Sequence, residues 1–218
     1  MQPSLIQLIQ TVAVYALPVI FAITLHEAAH GYAARHFGDL TAAQMGRVSL
    51  NPLKHIDPIG TIAMPLLLYF MTSGSFVFGY AKPVPVVINN LRSPKRDMLW
   101  VAFAGPGSNL LMALGWALFG AILRAVGLAE SFTQGMAAAG VGVNLAMAAL
   151  NLFPLPPLDG GRMLASLLPL PQANLLMRIE PYGFFIVLAL AYTNVLYYWM
   201  VPLMQGGRMV LNQITSLF

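Results

Sequence analysis

Apolar residues run almost unbroken from Leu5 to Leu25, and small residues carry the pattern on to His36 before Gly38 and Asp39 end it. The run exceeds the ~20 residues that a helix needs to cross a bilayer, so it predicts a membrane helix over 5–36. Pro18 inside it predicts a kink. Three further runs, 98–125, 135–153 and 182–217, predict spans by the same measure. The last is long, and reads either as one tilted helix or as two segments hinged near Pro202. A fifth apolar run, 59–72, is short for a span and is interrupted by Pro65.

Polar punctuation separates these runs. "LTAAQMGRVSLNPLKHIDP", residues 40–58, is rich in turn formers and has short strand character. "FVFGYAKPVPVVINNLRSPKR", residues 76–96, is β-branched and broken by prolines, which predicts short edge strands. "PLPPLDGGRM" breaks the third span. The expected fold is an all-α polytopic membrane protein of one domain, 1–218. It is a transmembrane helix bundle with short β-strand or re-entrant segments between the first spans. Four spans plus one re-entrant segment is the preferred count, with six spans as the alternative.

Composition strengthens this reading. Hydrophobic residues make up 58% of the chain and charged residues 8%, against about 25% charged in ordinary soluble domains. The mean hydropathy is +0.73. So few charges do not cover a water-facing surface, so much of the exterior must face lipid. The net charge of +4 therefore reads as positive-inside loops and not as a nucleic-acid surface. If 59–72 dips into the membrane and returns, Arg35 through Arg96 share one face with Arg162 and Arg178, leaving Arg124 opposite. That arrangement puts the N-terminus outside and the basic loops in the cytoplasm. The N-terminus lacks a basic region and a small-residue cleavage site, so the first helix is expected to be retained. The absence of cysteine excludes disulfides and thiolate metal sites.

Ionisable residues break the apolar pattern at "HEAAH", His26 to His30. Residues four apart share a helix face, so His26 and His30 can grip one zinc ion. Glu27 beside them can act as general base on a water held there. Ionisable groups at membrane depth are costly without compensation, which a bound cation provides. A catalytic zinc usually takes three protein ligands. His36 lies about 240° around the helix from His30 and points away. His55, Asp57, Asp159 and Glu180 remain as candidates for the third. Locally, Asp159 also reads as a helix cap or as the partner of Arg162. Asn109 and Asn144, each within an apolar span, read as hydrogen-bonding groups between helices.

"HEAAH" in a first transmembrane helix with "NLFPLPPLDGGRM" downstream resembles the site-2 protease family of intramembrane zinc metalloproteases. "GRVSLNPLKHIDPIGT" and "FAGPGSNL" resemble further segments of its bacterial members. The resemblance implies His26, His30 and Asp159 as ligands of one zinc ion, Glu27 as base, and Asn151 as a group holding the substrate carbonyl or oxyanion. It implies hydrolysis of peptide bonds within or near the spans of a transmembrane protein or peptide substrate, in a bacterial inner membrane. No appended PDZ or CBS domain is visible in the sequence. A metal-ion transporter using the same His, Glu and Asp cluster is the alternative. It would have no need of a base beside the ligands.

Overall fold

The computed structural model describes residues 5–71 and 79–216. The end of the expected 59–72 segment, the start of the strand-like run at 76–78 and position 217 of the last expected span lie outside the described residues.

Helix α1 (Leu5–His36) continues through Pro18. It packs against α4 (Pro94–Ala125) and α5 (Ser131–Asn151), and these three helices form the core of the bundle. Small side chains set their spacing. Ala22, Ala28 and Ala34 of α1, Ala102 and Ala113 of α4, and Ala148 of α5 are all almost inaccessible. Small residues let membrane helices approach closely, where dispersion and interhelical hydrogen bonds replace the missing hydrophobic drive. Gly140 shows how close: a Cβ there would sit 2.3 Å from the Trp116 ring. Helix α4 starts with Pro94 at its first turn, where a missing N–H costs nothing. The Ser93 N–H just before it donates to Asp97 Oδ2 at 2.7 Å.

Four helical runs are long and apolar enough to cross a membrane among the described residues: Ile9–His36, Pro94–Ala125, Ser131–Asn151 and Leu170–Tyr192. The protein is thus an all-helical, membrane-type bundle. The fourth run joins α7 (Leu170–Met177), a 3-10 turn and α8 (Gly183–Tyr192). The last apolar stretch breaks at Asn194, whose φ of 62° is left-handed, and not at Pro202, which lies inside α9 (Val195–Thr215). Helix α9 returns along α5, tied by the Trp199 indole N–H donating to Ala149 O at 2.9 Å.

The segment after α1 folds back over its C-terminal half. It contains α2 (Thr41–Gln44), a 3-10 turn at Pro52–Lys54, a π-helical turn at Pro58–Ala63, and α3 (Met64–Met71). The helical run Pro58–Met71 is about 21 Å long at 1.5 Å per residue, short of the ~30 Å hydrocarbon core. Its Leu66, Leu67, Phe70 and Met71 are exposed. Among the described residues no strand ladder forms. Prolines at 83 and 85 remove two donors. The N–H groups of Tyr80, Lys82 and Val84 are already taken by Gly60 O, His55 O and the Glu27 carboxylate. The 79–87 segment is held by loop carbonyls and by the Glu27, Asp39, Arg47 and Thr61 side chains, which leaves no ladder to form.

Helix α6 (Asp159–Leu167) starts where the chain reverses after α5. Glycine permits the reversal. A Cβ at Gly160 would lie 2.3 Å from Leu152 O, and one at Gly161 would lie 2.1 Å from Pro156 N. The two glycines therefore close the turn by backbone-on-backbone contact, and α6, with Asp159 at its start, packs against α4.

Candidate metal centre

His26 and His30, one turn apart on α1, meet Asp159 at the start of α6. His26 Nε2 and His30 Nε2 are 3.1 Å apart, and each lies 3.3 Å from Asp159 Oδ2. All three residues are nearly inaccessible. The approach of α4 depends on Gly105. A Cβ there would lie 2.4 Å from His30 Nε2 and 2.6 Å from His26 Cε1.

Hydrogen bonds behind the rings decide which nitrogen carries the proton. His30 Nδ1 faces Val101 O at 2.8 Å. A carbonyl only accepts, so Nδ1 carries the hydrogen, and in the neutral ring that a metal requires Nε2 keeps its lone pair. For His26 the argument starts two residues further back. Gly140 O must accept from the Asn144 amide nitrogen, at 2.9 Å. Asn144 Oδ1 then accepts from Asn109 Nδ2 at 2.9 Å, and Asn109 Oδ1 accepts from His26 Nδ1 at 2.6 Å. The chain Gly140–Asn144–Asn109–His26 is buried and has one direction. It fixes the tautomer of the neutral His26 ring with Nε2 unprotonated, the arrangement that hydrogen-bond partners behind the ring give metal-bound histidines.

Two lone pairs and a carboxylate oxygen thus converge on one point. With both rings neutral no hydrogen lies between them, and Asp159 Oδ2 is buried without a hydrogen-bond donor. Such a cluster repels itself unless a cation sits within it. An ion about 2.0–2.1 Å from each donor in a tetrahedral site needs donor–donor edges of about 3.3–3.4 Å. The observed edges of 3.1, 3.3 and 3.3 Å fit that size. The donor set, two imidazoles and a carboxylate, suits zinc.

Comparison with known proteins agrees with this chemistry. The chain is 36% identical over 208 residues to "Putative zinc metalloprotease YwhC" of Bacillus subtilis (strain 168), covering 93% of this chain and 89% of that one. It is 30% identical over 185 residues to "Putative zinc metalloprotease Rip2" of Mycolicibacterium smegmatis, covering 84% and 68%. The chain belongs to the family of YwhC and Rip2. No family model matches the chain, and no solved structure matches it. The names in the YwhC and Rip2 family and the His26–His30–Asp159 cluster together point to zinc and to a metalloprotease-type hydrolase.

The other candidate residues have different surroundings. Glu27 sits beside His26, half-buried, and its Oε2 accepts the Val84 N–H at 2.8 Å. Asn151 is the last residue of α5, and its amide nitrogen donates to Met147 O at 3.1 Å. One of its two amide hydrogens is therefore engaged within its own helix. His55 is fully buried in the loop, with Nε2 on Ser49 O at 2.7 Å. Asp57 caps the π-helical turn by accepting from Ile59 N and Gly60 N. Glu180 pairs with Arg162 at 2.9 Å, so the local partner that the sequence offered Asp159 is occupied elsewhere. His36 is exposed and stacks edge-on with Phe37.

Two contributors lacked a chemical signature in the sequence. The Val101 carbonyl is backbone, visible to no side-chain reading. Gly105 reads as a packing residue, and only the tertiary approach shows that the imidazoles occupy its missing side chain. Asn109 was legible as a polar residue in an apolar span, and its bond to His26 gives the reason for it.

Proposed function

We propose that this protein is an intramembrane zinc metalloprotease of the site-2 protease type. It hydrolyses peptide bonds within or near the transmembrane segments of membrane-protein substrates. The observation that carries this reading is the convergence of His26 Nε2, His30 Nε2 and Asp159 Oδ2 inside a bundle of membrane-type helices, with Glu27 beside it.

In this reading His26, His30 and Asp159 hold one zinc ion, which when bound polarises a carbonyl and lowers the pKa of water to about 7. The Val84 N–H fixes one oxygen of Glu27 and leaves Oε1 to accept a proton from the attacking water. Glu27 then delivers that proton to the leaving amine nitrogen. The second amide hydrogen of Asn151 serves the carbonyl oxygen as negative charge develops. Removing one such donor typically lowers the rate about 10²–10³-fold. A substrate helix hides its peptide groups in its own hydrogen bonds, so it unwinds locally before attack. The proposed setting is a bacterial inner membrane, with the basic loops on the cytoplasmic side. The transporter alternative gains nothing from the named relatives, which are called metalloproteases.

The test is cleavage of a single-span reporter by the purified protein in proteoliposomes. The wild type cleaves it, and Glu27→Gln does not while retaining its zinc. Zinc flux without cleavage by the wild type would overturn the protease reading. Unchanged cleavage by Glu27→Gln would remove the base from the mechanism.

A further inference from the structure

Away from the metal cluster, where α4 ends and α5 begins, a cavity of about 300 Å³ lies between α4, α5 and α9. Trp116 and Arg124 line it from α4, Gln134 from α5, and Arg208, Asn212 and Thr215 from α9. None of its lining residues is acidic. It holds two guanidinium groups in a chain with few charges of any kind.

The two arginines are held differently. Arg124 donates to Gln134 Oε1 at 3.0 Å, and the Gln134 amide nitrogen donates to Gly120 O at 3.1 Å. Arg124 is thereby oriented by one of its five N–H donors, and the others remain for a ligand. Arg208 has no hydrogen-bond or ion-pair partner among the described residues. Its Nη2 lies 3.6 Å from where a Gly142 Cβ would stand. Gly142 is about 16 Å along α5 from its first residue, so this guanidinium rests on the middle of a membrane-type helix. An unpaired charge there is costly. Nothing in the proposed catalytic site uses it.

The sequence of α9 follows the same logic. Gln205, Arg208, Asn212 and Thr215 recur at spacings of three and four, forming one polar stripe. That stripe keeps α9 out of the set of helices apolar enough to span. The Thr215 hydroxyl turns back to Leu211 O, so the Asn212 amide is the neutral donor beside the arginines.

We propose that this cavity binds the phosphate group of an anionic membrane phospholipid. Guanidinium forks match phosphate oxygens in pairs. Trp116, whose ring packs over Gly140, supplies an apolar wall and an indole N–H donor. A lipid so held ties α9 to the α4–α5 pair that carries Asn109 and Asn144.

The test uses the full-length, delipidated protein in detergent. Native mass spectrometry reads retention of phosphatidylglycerol against phosphatidylcholine, with inorganic phosphate as a separate arm. The wild type retains phosphatidylglycerol about tenfold better, a difference of about 1.4 kcal/mol. Arg124→Gln/Arg208→Gln loses the preference. A preference for phosphatidylglycerol in the double variant as large as that of the wild type overturns the proposal. Displacement of phosphatidylglycerol by millimolar inorganic phosphate, with equal protection against heat, assigns the site to a free anion and overturns the lipid. Phenylglyoxal labelling of the wild type needs no variant. Phosphatidylglycerol protects Arg124 and Arg208, phosphatidylcholine does not, and unprotected arginines in both refute the site.

Discussion

Asn109→Ala removes the middle of the buried chain behind His26. Two groups lose their partner at once: His26 Nδ1–H, bonded at 2.6 Å, and Asn144 Oδ1, bonded at 2.9 Å. Both asparagines are fully inaccessible. Leaving a buried polar group unsatisfied costs about 1–3 kcal/mol, so the variant should lose about 2–6 kcal/mol of stability. The His26 ring is also freed to turn or to change tautomer. Loss of such an outer partner typically weakens metal affinity 10–100-fold. Chelator competition on the purified protein reads the affinity, and thermal denaturation in the same detergent reads the stability. The double variant Asn109→Ala/Asn144→Ala sharpens the argument. Its second substitution removes the very group that the first left unpaired, so the losses should be less than additive. Wild-type zinc affinity in Asn109→Ala, or strict additivity in the cycle, would refute the relay.

Gly105→Ala pushes a methyl to 2.4 Å from His30 Nε2 and 2.6 Å from His26 Cε1. Zinc content should fall while the helical circular dichroism signal stays, and full zinc content would show that α4 yields instead. Gly161→Ala sets a Cβ 2.1 Å from Pro156 N, which displaces the start of α6 and Asp159 with it. Zinc retention and cleavage should drop together, and loss of neither would free the reversal from its glycine. Asp39 accepts from Thr41 N and Oγ1, Val87 N and Asn90 Nδ2. Burial works to raise its carboxyl, and these bonds, led by the Thr41 hydroxyl, outweigh it and hold it below the ordinary carboxylate range. A depressed pKa means that this stabilisation is whole above the unfolded value of about 3.9 and is lost as pH falls through the folded value. Protection from hydrogen exchange at 84–90, taken against the intrinsic rate at each pH, should therefore be high at neutral pH and fall only in acid. Asp39→Asn should lower it at pH 7, and unchanged protection in that variant would refute the anchor.

Much of the architecture is local and therefore readable in one dimension. The apolar run ending at His36 forms one helix because nothing within it supplies a turn. The "HEAAH" spacing puts two imidazoles on one face by helical geometry alone. The third member is harder to read. Asp159 lies far along the chain from α1, and its position depends on Gly160 and Gly161 closing tightly on the 152–156 turn and on α6 packing against α4, a contact between distant stretches. Strand character at 84–88 misleads for a related reason. β-branched residues favour extended chain, but whether a ladder forms depends on donors, and Pro83, Pro85, Glu27 and Asp39 leave too few. The break at Asn194 lacked a strong local signal, since Pro202 is the stronger breaker by rule. Inside α9, membrane neighbours can re-satisfy the carbonyl that proline leaves free.

The account stands on one claim, that residues from two distant stretches hold a single ion. Zinc content by mass spectrometry of purified wild type and Asp159→Ala, measured on samples with matching helical content, tests it most directly. The wild type should carry one zinc per chain, and Asp159→Ala should carry far less after mild chelation. Full zinc in Asp159→Ala would contradict the account, because His26 and His30 would then be binding without the residue that α6 brings to them.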